Sequence, residues 1–596
     1  MLLAVSLLLP LAGVAVIALA GAAGPRRAHR VRRVTALASP LAVLPAVVLT
    51  LVPQPPVLEA PWLFFGAVFS IDSVARPLTL IAALLYGAAL AAVSWVKLRH
   101  AERGSGVLSA FLLVCFSGNI GTYLAADAGT FYFSFTVLSF SAAGQVIHYR
   151  HQAAQRATRI YLVMSVLSET AILAGLVLTI AAGGYLLTDA PDAVAQSPHT
   201  GLIVTLLLIG FGVKAGTVPL HVWLPLAHPA APPAASAVLS GAMVKAGLVG
   251  WLRFVPSDDD AALHRAGTVL LALALLGAFA AVAVGVLQQD PKVVLAYSTI
   301  SQMGFIAALV AVGMLVPELA SATSAAAVLY AVHHGLAKGA LFLGVPVVKH
   351  YGRGVTGVLV VIGMAGAGLA VAGAPLTSGA YGKYVSKEAV EGITVLGLGL
   401  DQILPWVAVG STLLLMRFAF AVRQVPADPP RGPDGELFSW LAVCLAGVAV
   451  PWWVGANWID HSGDISWTPA TVWDATWPIL AGLSVGALVW RAAARNRLPS
   501  WLRADGQAVQ PGDLIVAEES LALRSYEGGS RLLDRAHTAV NGWGERLGSA
   551  LGAAASATRR GVSTGEHRLA DWHSSGAAIL ALLVLVVVWM AWGWWT

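Results

Sequence analysis

Runs of about 18–23 apolar residues recur along nearly the whole chain, each long enough to cross the hydrocarbon core of a bilayer as a helix. In that core every backbone N–H and C=O must find its partner within the protein, so a chain built this way folds as a bundle of helices. Composition agrees: 58% of the 596 residues are hydrophobic, only 11% are charged, and the mean hydropathy is +0.76. That is too little charge for the surface of soluble domains. Cys115 and Cys444 lie inside apolar runs without ligand-like spacing, which excludes a disulfide framework and any cysteine-held metal or iron–sulfur cluster. The chain therefore has no redox site of its own, and electrons would have to be carried by another chain. The net charge of +6 comes from short Lys/Arg clusters between apolar runs, the pattern of cytoplasmic loops and not of a nucleic-acid surface.

About sixteen candidate spans start near residues 2, 36, 75, 107, 129, 160, 201, 235, 266, 297, 323, 356, 402, 437, 472 and 576. Every second loop between them is basic: Pro25 to Arg33, Lys97 to Arg103, His148 to Arg159, Lys349 to Arg353, Arg417 to Arg431 and Arg491 to Arg503. Acidic residues (Glu59, Asp72, Asp189, Asp192, Asp258 to Asp260, Asp460, Asp464) fall on the other side. This alternation predicts a multi-pass protein with its N-terminus outside the cytoplasm, and a bacterial inner membrane is its expected location. The first run is read as a span and not as a cleaved leader, because its basic cluster follows the apolar stretch. From about Gly512 to Trp572 the sequence turns amphipathic, which predicts a lateral helix along the membrane surface, followed by a last span from Ala577 to Trp595. The expected architecture is all-α. It comprises N-terminal spans over 1–106, two five-helix repeats over 107–265 and 266–425, further spans and a cytoplasmic loop over 426–511, the lateral helix over 512–575 and the terminal span over 576–596.

The ionisable residues inside apolar runs carry the functional information, since a charge at mid-bilayer costs at least about 2.5–3.5 kcal/mol unless it meets water or a partner. They are Glu169, Lys214, Lys245, His333, His334, Lys338, Lys383, Lys387 and Glu388. One such lysine is as well explained by a structural ion pair as by function, but four spans each holding a lysine are not. A lysine in low dielectric loses basicity and regains it beside a carboxylate, so moving the partner changes whether it holds a proton. His334 and Lys338 share one helix face and can relay. Prolines interrupt two of these spans: Pro219 follows Lys214, and Pro375 with Gly379 precedes Lys383. Broken helices at mid-membrane are where transporters place ion sites and hydrated cavities. No P-loop, dinucleotide fingerprint or HExxH motif is present, and His221 and His228 fall in an expected loop without acidic companions, so neither a cofactor nor a metal is expected.

At these residues the sequence resembles the antiporter-like subunits of respiratory complex I, of multisubunit Na⁺/H⁺ antiporters and of formate hydrogenlyase-type membrane-bound hydrogenases, over roughly residues 70 to 420. The most specific stretches are PLHVWLPLAHPAAPPAASAVLSGAMVKAGLVG from Pro219, QQDPKVVLAYSTISQMGF from Gln288 and HHGLAKGALFL from His333. The resemblance implies that Lys214 is the lysine of a broken seventh helix and Lys245 that of the eighth. It likewise makes His334 and Lys338 the relay on the eleventh, Lys383 the exit-side lysine of a broken twelfth, and Glu169 the acidic residue of the sixth. It also implies partner membrane subunits and H⁺, with Na⁺ as the alternative ion. The chain departs from the family at Thr136, which stands where a glutamate of the fifth helix is usual, and Lys383 and Lys387 are both eligible in the twelfth. Two readings remain: a proton-conducting subunit with Glu169 as the partner of Lys214, or a membrane scaffold whose channel is modified or idle. The cation-coupled subunit of an antiporter or an inorganic-carbon uptake complex is a variant of the first.

Overall fold

The computed structural model describes residues 1–20, 25–55, 57–100, 105–258, 260–426, 428, 432–459, 465–499, 502, 509–515, 520, 524 and 530. The chain divides into two units, Met1–Leu514 and Ile515–Thr596. The expected lateral helix and final span fall outside the described residues, except for 512–515, which form the end of a turn, and the isolated positions 520, 524 and 530.

The first unit opens with α1 (Leu2–Leu19), α2 (Pro25–Ala38), α3 (Leu44–Leu51), α4 (Ala75–His100) and α5 (Ser105–Leu124). It continues with α6 (Ala128–Val146), α7 (Gln152–Ala181), α8 (Ala190–Ala195), α9 (Thr200–Ala215), α10 (Trp223–Ala230), α11 (Pro233–Val238) and α12 (Lys245–Phe254). Then come α13 (Ala261–Gly285), α14 (Pro291–Leu315), α15 (Ala320–Tyr351), α16 (Gly354–Ala372), α17 (Ser378–Glu388), α18 (Leu400–Ile403) and α19 (Pro405–Arg423), followed by α20 (Gly435–Trp458) and α21 (Pro469–Ala494). Among the described residues thirteen helices are long and apolar enough to cross a membrane, so the chain is a multi-pass membrane protein. The first fifteen expected starts each fall at or within a few residues of an observed helix. Two of those, α6 and the 16-residue α9, are not among the thirteen: α6 is rich in Ser and Thr, and α9 is short.

Differences from expectation are local. The basic stretch from Pro25, expected as a loop, forms α2, with Arg32 Nε donating to the Ile17 carbonyl oxygen (3.3 Å). Two short antiparallel hairpins, Leu58–Ala60 with Ala67–Phe69 and Thr394–Val395 with Leu398–Gly399, interrupt the helices. Carboxylates fix several helix starts. Asp127 accepts from Thr130 N at α6, Asp290 from Lys292 N and Val293 N at α14, and Thr377 does the same work for α17 through Ala380 N.

Burial orders the bundle. Every residue of α14 from Val293 to Met314 is buried, and most of α15 and of the Pro233–Phe254 span with it. These three neighbours form the interior, while α1, α16 and α21 present rows of exposed Leu, Val and Trp. Of the four candidate lysines, Lys245 and Lys338 thus lie on two of the three interior spans, and Lys214 and Lys383 on the two broken helices.

Candidate functional site: a row of buried amines

Both expected helix breaks are present, and both end on glycine. α9 stops at Ala215 and Gly216 takes φ +71°, and α16 stops at Ala372 and Gly373 takes φ +86°. These are left-handed conformations open to glycine at little cost. Lys214 lies in the last turn before the first break. Its counterpart, Lys383, lies just past the second and folds back so that its amine donates to the Ala372 (2.6 Å) and Val371 (3.3 Å) carbonyl oxygens that end α16. The lysine therefore satisfies backbone groups that a continuous helix would have bonded internally.

Around Lys214 the side chains are aromatic and hydroxylic. The amine lies 3.5 Å from Tyr161 Oη and over the Phe135 ring at 5.3 Å, and Tyr161 donates to the Ser139 carbonyl oxygen (2.7 Å). Glu169 is within Coulombic reach but makes no direct ion pair with Lys214. Its Oε2 accepts a hydrogen bond from Thr136 Oγ1 (2.8 Å), and its Oε1 has no partner among the described residues. The residue that departs from the family pattern therefore touches the carboxylate that remains.

In the centre, Lys245 and His334 are both fully buried and in contact, Nζ to Nδ1 at 2.9 Å. With the amine protonated, Nδ1 accepts and the ring proton sits on Nε2, which has no partner among the described residues. A π turn over Leu239–Met243 precedes Lys245 and exposes the Ser240 carbonyl oxygen, to which the amine donates (2.7 Å). Ser240 Oγ in turn meets Thr299 Oγ1 at 2.8 Å. Gly241 and Gly335 allow the two backbones to cross: a Cβ on Gly335 would stand 2.6 Å from the Gly241 carbonyl oxygen. Lys338, one turn after His334, donates to the Leu295 carbonyl oxygen (3.2 Å).

From the centre the link to α17 runs through His333, whose Nδ1 meets Ser378 Oγ at 2.9 Å, while Ser378 donates to the Gly447 carbonyl oxygen (2.9 Å). His333 is conspicuous in the sequence as an ionisable residue of an apolar run but is not part of the expected row, and Ser378 leaves no signal there. Beyond lies a cavity of about 350 Å³ whose lining includes Lys383, Lys387, Glu388, Asp401 and Asp474. The two eligible lysines are different in kind: Lys383 is half-buried against α16, whereas Lys387 is more exposed and pairs with Asp474 (2.8 Å).

No direct contact joins Lys214 to Lys245 or Lys338 to Lys383 among the described side chains, so the row consists of three separate clusters. The two histidines set aside from sequence need correction. His228 belongs to α10, not to a loop. His221 has an acidic companion after all, Asp513, at 3.1 Å from Nε2, a pairing that no spacing in the sequence could indicate.

Residues 125–390 match the family described as NADH:quinone oxidoreductase/Mrp antiporter, TM. Hydrogenase-4 component B of Escherichia coli (strain K12) is 30% identical over 294 residues, 48% of this chain and 44% of that protein. NADH-quinone oxidoreductase subunit M of the same strain is 28% identical over 302 residues, 48% of this chain and 57% of that protein. The chain thus spans about half the length of these relatives. A structure of the Mrp complex from Dietzia sp. DQ12-45-1b superposes with a TM-score of 0.67 over 88% of this chain and 60% of the matched one, at 21% identity, which establishes a common fold. The segment that holds Glu169, Lys214, Lys245, His334, Lys338 and Lys383 thus matches the model of the NADH:quinone oxidoreductase/Mrp antiporter transmembrane family, as its motifs implied.

Proposed function

We propose that the chain is the proton-translocating, antiporter-like subunit of a multisubunit membrane complex. It moves H⁺ along Lys214, Lys245, His334, Lys338 and Lys383, and Glu169 is the carboxylate through which a partner subunit biases Lys214. The observation that carries this reading is the buried contact of Lys245 with His334, one turn from Lys338. Two amines and an imidazole in one apolar interior cannot all be charged, so a proton arriving at one favours release from its neighbour. The two glycine-ended breaks support two repeats of inverted topology with one half-channel each, and the basic loops support an N-terminus on the outer side of a bacterial inner membrane.

Glu169 favours a working first half-channel over an idle scaffold. A buried carboxylate with a free oxygen near a lysine is poised to accept a proton or a new partner, which a purely structural site would leave costly and unexplained. Replacing Lys214 or Lys338 by Met in the whole complex, reconstituted in proteoliposomes, is expected to abolish coupled proton movement. Wild-type pumping in both variants rejects the row.

A further inference from the structure

His228 stands outside the row, yet it is fully buried and neither ring nitrogen has a hydrogen-bond partner among the described residues. Unpaired polar rings in an interior are rare and call for an explanation, commonly a function. The imidazole lies against Phe342 (ring centroids 4.5 Å apart, planes at 21°), and Phe342 is one turn beyond Lys338 on the same face of α15. On the other side, Lys292 in the first turn of α14 donates to the Pro229 (3.1 Å) and Ala231 (2.7 Å) carbonyl oxygens, which follow His228 at the end of α10. The Lys338 amine donates to Leu295, one turn along α14 from Lys292. Both amines lie within Coulombic reach of the imidazole. Lys292, His228 and Lys338 therefore occupy one wedge between α10, α14 and α15. That wedge begins at the end of the bundle where α14 starts and α15 runs out into the basic Lys349–Arg353 stretch.

We propose that His228 is a proton-transfer residue that passes H⁺ from Lys292, at the basic face of the membrane, to Lys338 in the row. In the first step an N–H bond of the Lys292 ammonium breaks and one forms at a ring nitrogen, leaving a neutral amine and an imidazolium. In the second the other ring nitrogen gives its proton to the neutral Lys338 amine; no electrons are transferred. The two nitrogens sit on different edges of the ring, and a ring held by stacking alone can turn in its plane to reset its tautomer without breaking a hydrogen bond. The inference rests on the proposed function, since the proton needs the row as its destination.

The test uses the complete membrane complex in proteoliposomes, with lumenal pH followed by a dye, and compares wild type with Lys338→Met, His228→Gln and His228→Ala. His228→Gln keeps a polar side chain that cannot carry a proton, and it is expected to slow proton movement about ten-fold or more while the subunit remains in the complex. His228→Ala is expected to be equally slow and to recover when imidazole is added, which a packing defect would not. Wild-type rates for His228→Gln beside a blocked Lys338→Met overturn the inlet and leave the row intact. Wild-type rates for Lys338→Met overturn the row and the inlet together. If His228→Gln fails to assemble, an assembled His228→Ala complex that stays slow in imidazole overturns the inlet.

Discussion

Under the proposed function, Thr136 and Glu169 together stand in for the single glutamate that the resemblance implies, and their contact makes the division testable. Glu169→Gln preserves size and can still accept from Thr136 through its amide oxygen, but it holds no charge to oppose Lys214. Coupled proton movement in proteoliposomes is expected to fall at least as far as in Lys214→Met. Thr136→Val removes only the hydrogen bond to Glu169, worth about 0.5–3 kcal/mol. The expected outcome is a partial loss of proton movement, smaller than for Glu169→Gln; equality of the two would make Thr136 a functional partner in its own right. At the other end of the row, Lys387 and Asp474 form an exposed pair of the kind worth at most about 1 kcal/mol. Lys387→Met is accordingly expected to retain most of the wild-type rate, while Lys383→Met loses it, with the same proton assay deciding between the two lysines.

At the scale of elements, the sequence displays the lysines and the breaks but not the geometry that brings them together. Lys214, Lys245, Lys338 and Lys383 are conspicuous because charge in an apolar run is costly, and Pro219 and Pro375 because they cannot continue a helix. The π turn before Lys245 leaves no such mark: LSGAMVK reads as ordinary small-residue helix, and only the crossing with α15 shows why two glycines are there. The Pro-rich stretch around His228 imitates a loop, because prolines also open short helices such as α11 and are tolerated near the end of one such as α10, at Pro229. A Cβ on Gly335 would fall inside the Gly241 carbonyl contact, so Gly335→Ala forces α15 away from the turn that carries Lys245. Overpacking of this kind costs about 1–3 kcal/mol. The variant is expected to lower the melting temperature of the purified complex and to depress proton movement, whereas Gly366→Ala, which meets nothing within 4 Å, is expected to change neither.

Over the whole molecule, the family match ends at residue 390, but the surroundings of the row do not. α20 supplies the Gly447 carbonyl oxygen that holds Ser378, and α21 supplies Asp474 to the outer cavity. A segment still further along the chain returns to the first broken helix. Val509 accepts through its carbonyl oxygen from Gln288 Nε2 (3.1 Å), Gly512 N donates to Tyr297 Oη (3.2 Å), and Asp513 pairs with His221 (3.1 Å), five residues beyond the Gly216 break. None of this long-range closure is legible in the sequence, because contacts across 215 to 292 residues leave no local pattern; only the amphipathic change near Gly512 hints that the chain alters character there. Burial alone would raise the pKa of Asp513 and favour its neutral form, but the hydrogen bond and charge of His221, with Leu514 N–H, hold its carboxyl below the ordinary value. A carboxylate whose folded value is depressed adds stability above its unfolded value, near pH 4, and gives it up as pH falls through the lower folded value. Thermal melting of the complex as a function of pH should therefore show a loss of stability below about pH 4 in the wild type. Asp513→Asn should melt lower than wild type at pH 7 and show a flatter acid limb, because the neutral amide has no charge left to lose; an acid limb as steep as that of the wild type would place the stabilising charge elsewhere.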